Sequence, residues 1–223
     1  MARRGDLNGW WRFGIVVVGA VMRVFFRIRV TGAARIPATR SGIVAGNHLS
    51  ALDGIALALV VGRDGRRMTR FITAVEFFRK PAFGWALRRY RQIPVRRGEG
   101  DAGALDEAIA TVRSGALAGI FPEGLVNPSP GSGLQRGRTG VARIALASGA
   151  PIVPVGIWGT QVRYPKAGIR FGPPWRPTVA LAIGSPVDAE GDPESIEDVQ
   201  RVTGLVMERL AVQVAEARRL AGG

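Results

Sequence analysis

The chain of 223 residues contains no cysteine and a single histidine, His48. With no cysteine there can be no disulfide, no thiolate metal site and no cysteine nucleophile, and the redox compartment is left open. One histidine without cysteine is a poor start for a transition-metal site, so no metal is expected. No Gly-x-Ser-x-Gly elbow occurs, which removes the usual serine nucleophile of α/β hydrolases. Acidic residues are scarce, 17 against 31 basic ones, for a net charge of +14. Lysine is almost absent too, with Lys80 and Lys166 standing among arginines. Such a surface attracts anions, whether nucleic acid, anionic lipid or a phosphorylated substrate. The arginines are dispersed, and no basic helix, zinc pattern or RNA-binding motif accompanies them, so no nucleic-acid partner is expected. Long apolar runs are also missing. The uncharged stretch Phe13 to Met22 is well short of the ~20 apolar residues a spanning helix requires, and no small-residue cleavage site follows it.

What is present supports a folded domain. Hydrophobic residues make up 47% of the chain, enough for one sizeable core. The stretch Trp10–Arg27 has tryptophans at one end and arginines at both, which suits a helix lying among lipid headgroups. It equally suits a core helix capping the domain edge, because apolar residues go most of the way round it. The chain divides accordingly into a membrane-associating helical segment, residues 1–27, and a main domain, residues 28–223.

Beyond this segment, strand-like and helix-like runs alternate. Strands are expected at Ile28–Val30, Ile43–Ala45, Phe71–Val75, Gln92–Val95, Gly119–Pro122, Pro151–Trp158 and Thr178–Ile183. Helices are expected at Leu52–Val61, Pro81–Arg91, Asp101–Arg113, Arg138–Ser148 and about Pro193–Leu220. The last has Asp192 as N-cap, Pro193 in first position and an apolar stripe from Ile196 through Val199, Val202, Val206 and Leu210 to Val214. The run Asn127–Gly133 reads as a surface loop. The alternation points to an α/β fold with helices packed on a central sheet.

The lone histidine sits in Asn47-His48-Leu49-Ser50-Ala51-Leu52-Asp53-Gly54, just after an apolar strand. Residues five apart are turned about 140° from each other on a continuous helix and point to opposite sides of a strand. His48 and Asp53 can therefore meet only if the chain bends between them. Ser50 as an N-cap, with a helix starting near Ala51, supplies such a bend and puts Asp53 at the third helical position. One imidazole nitrogen would then face the carboxylate and the other would be free to accept a proton. Ser-x-x-Asp is also an ordinary helix start, and a lone histidine is often a plain surface or core residue. A second carboxylate, Glu123, follows another apolar strand in Phe121-Pro122-Glu123-Gly124; strand ends of an α/β sheet are where sites form. The plain alternative is a tight turn with an exposed glutamate.

Four blocks now stand in order: NHLSALD at 47–53, QIPVRRG at 92–98, FPEG at 121–124 and PIVPVGI at 151–157. Together, from about Val30 to Val187, they resemble the glycerol-phosphate and lysophosphatidate acyltransferase family. The resemblance implies an α/β architecture with a central mixed, mostly parallel sheet flanked by helices and an N-terminal amphipathic helical segment. It implies transfer of a fatty acyl group from a thioester, acyl-CoA or acyl carrier protein, to a hydroxyl of a lysophospholipid, above all 1-acylglycerol-3-phosphate. The thioester is a substrate, and no cofactor is implied. Carried over residue by residue, His48 is the general base, Asp53 orients it, and Asn47 and Ser50 support the turn. Arg96 belongs to the block that binds the acceptor phosphate. Glu123, grouped with the dyad, and Gly124 shape the acceptor site. Pro154 and its neighbours serve the acyl-donor side or the fold. The implied partner surface is lipid, with the chain peripheral or monotopic on the cytoplasmic face of the cell membrane.

The third block departs from the family pattern: Leu125-Val126 stand where a threonine-like residue and an arginine usually follow. Either Arg96, Arg97, Arg136 or Arg138 supplies the phosphate contact, or the acceptor carries no phosphate there and Leu125 faces lipid. Gln135-Arg136-Gly137-Arg138 is read as opening the next helix, where backbone N–H groups favour phosphate; a solvated loop is the plain reading. Two rivals remain: a basic nucleic-acid-binding protein, and a membrane-bound relative without catalysis.

Overall fold

The computed structural model describes residues 6–96 and 101–222. A seven-stranded sheet runs through it in the order β1-β7-β6-β2-β5-β3-β4. The strands are β1 (Arg27–Thr31), β2 (Gly42–Gly46), β3 (Thr69–Ala74), β4 (Ile93–Val95), β5 (Leu117–Ile120), β6 (Ile152–Trp158) and β7 (Thr178–Ile183). Strands β2 to β6 are mutually parallel. β7 runs antiparallel to β6, and β1 follows β7. The sheet is mixed and mostly parallel, as expected.

The longer helices are α1 (Gly9–Phe25), α2 (Asp53–Asp64), the one-turn α3 (Val75–Phe78), α4 (Pro81–Arg89), α5 (Ala102–Arg113), α6 (Gly140–Ser148) and α7 (Ile196–Ala221). Alternate residues of β2 feed two cores, as a period of two requires. Val44 joins Leu57, Val60, Val153 and Leu181 beneath α1 and α2. Ile43 and Ala45 join Ala108, Ile144, Ile152 and Val206 beneath α5, α6 and α7. Every residue of β2 is buried, which explains its uniformly apolar or glycine character.

Connections from the two central neighbours β2 and β5 part company. The chain leaves β2 for α2 on one face and leaves β5 for α6 on the other. That is a topological switch point, and a crevice forms at the carboxyl ends of such strands.

Several expected boundaries move, each for a local reason. Helix α2 starts at Asp53, not near Ala51, because residues 51 and 52 form a separate turn. Ser50 caps that turn by accepting the Leu52 N–H (3.0 Å) and is not the helix N-cap. Helix α7 starts at Ile196, with Ser195 accepting the Asp198 N–H (3.2 Å) as its cap. Asp192 instead closes a turn around Pro193 by accepting the Glu194 N–H. Ile196 is exposed, so the apolar stripe runs from Val199 to Leu210, with Val214 half-buried. Helix α6 starts at Gly140, which leaves Arg136 and Arg138 in the preceding loop and outside its first turn. The loop at 127–133 is exposed except for Asn127, which is buried, and Pro130, which is half-buried.

Helix α1 has two different faces. Trp11, Ile15, Gly19 and Met22 pack on α2, where Gly62 leaves room for Ile15. Phe13, Val16, Val17, Val21, Val24 and Phe25 face outward and are exposed. The core-capping reading describes the inner face, and the outer face is apolar and exposed. No described helix is long and apolar enough to cross a membrane.

Candidate active site

Where β2 ends, Asn47 continues it with a side chain. Its amide donates to the Ile157 carbonyl (3.0 Å) and accepts the Ile157 N–H (2.7 Å), so β6 stays paired while the main chain turns away. The next residue, His48, is gripped by its own backbone. Its N–H donates to Glu123 Oε1 (2.8 Å), and its carbonyl accepts the Asn127 N–H (2.7 Å).

The turn then brings Asp53 back to His48. Oδ2 of Asp53 accepts the N–H groups of Leu49 (2.6 Å) and Ser50 (2.7 Å) and faces His48 Nδ1 at 3.0 Å. Oδ1 accepts the hydroxyl of Thr160 at 2.5 Å. Asp53 and Thr160 are fully buried, while the His48 side chain keeps 13% of its exposure. A carboxylate that accepts from every neighbour places the imidazole proton on Nδ1, which leaves Nε2 as the acceptor. Among the described residues no protein group hydrogen-bonds Nε2. One face of the ring stacks on Phe121 (centroids 4.3 Å apart, planes 14° apart), with Phe71 behind it. The ring is thus held at its backbone, at one nitrogen and across one face.

Glu123 is buried, not an exposed turn residue. Oε1 holds the His48 main chain, and Oε2 accepts the Gln135 N–H at 2.8 Å, with the Gln135 and Asn127 side-chain amides at 3.4 Å. Its carboxylate meets the backbone of His48 and not the imidazole. Glu123 thus ties the main chain of His48 to the segments that carry Asn127 and Gln135. Gly124 follows in the left-handed region (φ 72°), and the Arg138 side chain lies where a Cβ would be.

Arg96, Arg136 and Arg138 are exposed. Arg96 follows β4 on the same sheet edge as His48, three strand spacings from β2, which is about 14 Å. Its N–H donates to Asp101 (2.8 Å). That bond, with a second from the Ala104 N–H, holds the Asp101 carboxyl below its ordinary range. Arg138 anchors its loop by donating its N–H to the Pro122 carbonyl (2.8 Å). Arg97 and Gly98 lie outside the described residues. Leu125, beside Glu123, is exposed. Pro154 is buried within β6 opposite Ala45 and belongs to the sheet.

Sequence reading missed Thr160, Phe121, Asn127 and Gln135 as parts of this constellation. Phe121 lies inside a quoted block, so its place after a strand was a usable signal. Thr160 had none, being 107 residues from Asp53. It is placed by Gly159 (φ 101°), where a Cβ would strike the Thr178 carbonyl.

Comparison with known proteins finds relatives in sequence and fold. The crystal structure of the 1-acyl-sn-glycerophosphate (LPA) acyltransferase PlsC from Thermotoga maritima superposes with a TM-score of 0.67 at 28% identity, over 90% of this chain and 79% of that one. An uncharacterized protein of Mycobacterium leprae is 31% identical over 192 residues, 76% of this chain and 49% of its own length. A chloroplastic 1-acyl-sn-glycerol-3-phosphate acyltransferase of Brassica napus is 29% identical over 139 residues, 61% of this chain and 38% of its own. The chain thus spans about half or less of the length of these curated relatives. The family model described as Acyltransferase matches residues 27–158, which hold the dyad, Glu123 and β6, and the chain belongs to the acyltransferase family.

Proposed function

We propose that this chain is an O-acyltransferase of phospholipid synthesis, moving a fatty acyl group from a thioester to a hydroxyl of a lysophospholipid, with 1-acylglycerol-3-phosphate as the leading acceptor. The observation that carries the reading is the His48–Asp53 pair at the switch point, with Nδ1 engaged and Nε2 free. The acceptor assignment is supported by the names of the Brassica napus and Thermotoga maritima relatives.

In this reading Nε2 removes the proton of the acceptor hydroxyl as its oxygen attacks the thioester carbonyl. The tetrahedral adduct collapses, the C–S bond breaks, and the proton on Nε2 passes to the leaving sulfur. No acyl-enzyme forms. The buried Asp53 keeps the imidazole in one tautomer and stabilises its charged form. Glu123 and Asn127 fix the main chain from which the ring projects. No cofactor takes part, since the thioester, acyl-CoA or acyl carrier protein, is itself the substrate.

Arg96, Arg136 and Arg138 are the candidate phosphate contacts at the rim, and Ser50 and Gly124 shape the turns beneath them. Exposed Leu125 favours a second reading of the acceptor, a polar lipid lacking a phosphate at that point. The outward apolar face of α1 supports the reading of the N-terminal segment as membrane-associating, with the chain peripheral on the cytoplasmic face and residues 28–223 as the acyltransferase domain.

The test is acyl transfer by the purified chain with oleoyl-CoA and a panel of lysolipids, with products read by mass spectrometry. His48→Ala should lower the rate by at least ~10²-fold, the lower end of what general-base help supplies, while the circular dichroism stays unchanged. Wild-type turnover in that variant discards the mechanism. A preference for monoacylglycerol over 1-acylglycerol-3-phosphate selects the second acceptor reading.

A further inference from the structure

The β6–β7 connection, residues 159–177, carries the two most exposed large apolar side chains among the described residues, Phe171 and Trp175, with Ile169 beside them. Phe171 is 85% exposed, Trp175 73% and Ile169 62%. Side chains of this size normally find cover, and a group of them held in water marks an interaction surface.

The connection is also built to hold that shape. Arg163 donates to the carbonyls of Gly172 (2.7 Å) and Pro174 (2.6 Å), and its own carbonyl accepts the Arg170 N–H (2.8 Å). Arg176 donates to the Arg23 carbonyl at the end of α1 (2.6 Å), and the Arg27 N–H donates to the Pro177 carbonyl (3.0 Å). Guanidinium groups thus close the loop on itself and tie it to α1. The end of the connection is therefore anchored at the C-terminal end of α1, whose outward residues Val21, Val24 and Phe25 are also exposed.

Charge identifies the occupant. No acidic residue occurs between Glu123 and Asp188, whereas that interval holds seven basic ones. Two of them, Lys166 and Arg170, line a cavity of about 260 Å³ with Asn127, Pro128, Pro130 and Pro165. Neither forms an ion pair with a described residue. One lining residue links the cavity to the site: Asn127 donates its N–H to the His48 carbonyl. Arg170 turns toward the cavity while its neighbour Phe171 stands out in solvent. Cations beneath an aromatic and aliphatic tip match the layering of a bilayer, with phosphates above the acyl boundary.

We infer that the β6–β7 connection is a second bilayer-docking element, in which Phe171 and Trp175 enter the acyl boundary of an anionic phospholipid membrane while Lys166 and Arg170 take a headgroup phosphate beside the dyad. The inference rests on the reading of a membrane-borne acceptor and adds the element that presents the dyad to it. With α1 it makes two contacts on one molecule, so the site faces the lipid in a set orientation.

The experiment is vesicle binding by the full chain, with no acyl donor present, so that its failure is separable from failure of the acyl-transfer reading. Vesicles of phosphatidylglycerol and phosphatidylcholine in equal parts are compared with pure phosphatidylcholine. Phe171→Glu with Trp175→Glu should weaken binding to the anionic vesicles at least tenfold. Lys166→Ala with Arg170→Ala should remove most of the preference for the anionic vesicles. In a protein with wild-type loop sequence, lipids brominated on upper acyl carbons should quench tryptophan emission, and Trp175→Phe should lose part of that quenching. Binding of the double glutamate variant within twofold of wild type, or quenching unchanged by Trp175→Phe, overturns the inference. In the assay, the same glutamate variant should still turn over a short-chain, water-soluble acceptor while losing activity on vesicle-borne acceptor. Equal loss on both acceptors also counts against a docking role.

Discussion

The inner wall of the site and its outer rim are built on opposite terms. Along the inner wall, Asn47, Asp53, Glu123 and Thr160 are buried, and their polar side-chain atoms are bonded to named partners. At the rim, Arg136, Arg138, Lys166 and Arg170 are exposed and form no ion pair with a described residue. A buried polar group left without a partner is costly, so the wall tolerates little change and holds one geometry. An exposed cation costs little to hold, is screened by salt, and is free to meet an anion. On the proposed function, the difference places chemistry where the protein makes its internal hydrogen bonds, and recognition where it leaves charges to solvent.

That contrast can be broken at several points. Asp53→Asn carries the largest expected effect. An amide cannot accept from the Leu49 and Ser50 N–H groups, His48 and Thr160 all together, so at least one buried donor is orphaned at about 1–3 kcal/mol. Activity should fall by roughly 10⁴-fold as the imidazole tautomer is released, and the melting temperature should drop. Near-wild-type activity would remove Asp53 from the mechanism. Thr160→Val comes next. It deletes one bond to Asp53 Oδ1 and should lower kcat about tenfold while both KM values stay put, at a cost of about 1 kcal/mol in stability. Thr160→Ser should restore kcat; a loss that serine does not repair would make Thr160 a packing residue only.

At the rim the effects shrink and change kind. Arg96→Ala should raise the KM for a phosphorylated acceptor several-fold, leave the KM for the acyl donor unchanged, and matter less as salt is raised. An unaltered acceptor KM would discard its phosphate role and shift attention to Arg136 and Arg138. The smallest effect concerns Asp101, whose carboxyl is held below its ordinary range first by the Arg96 N–H and then by the Ala104 N–H. Because the folded value is the lower one, its contribution is present above the ordinary carboxylate range and is lost as pH falls through the lowered value. Melting followed from neutral to acid pH should therefore be less pH-dependent in Asp101→Asn, and identical profiles would show that those bonds carry no net stability.

Much of the sheet was legible because strands and helices announce themselves by local period, and β2 and β6 are short apolar runs bounded by turn residues. Boundaries were less legible where two local signals competed, as when Ser195 and not Asp192 capped α7. The dyad was legible because its two members are five residues apart and a turn between them is a local event. Glu123 was noticed, but its partner was not: whether a carboxylate beyond a strand end reaches a ring, a backbone or water depends on which strand lies alongside.

By itself, then, the order of residues determined the α/β alternation, the His48–Asp53 turn, the strong positive charge and the want of a thiol nucleophile, all of which are properties of composition or of neighbours along the chain. Tertiary structure alone decided that Thr160 would seat Asp53 from 107 residues away, that Phe121 would stack on the imidazole, and that Glu123 would hold the main chain of His48. It also tied the end of the β6–β7 connection to the end of α1 through Arg176. The physical reason is that such contacts depend on strand order, and strand order is chosen by how the whole core packs.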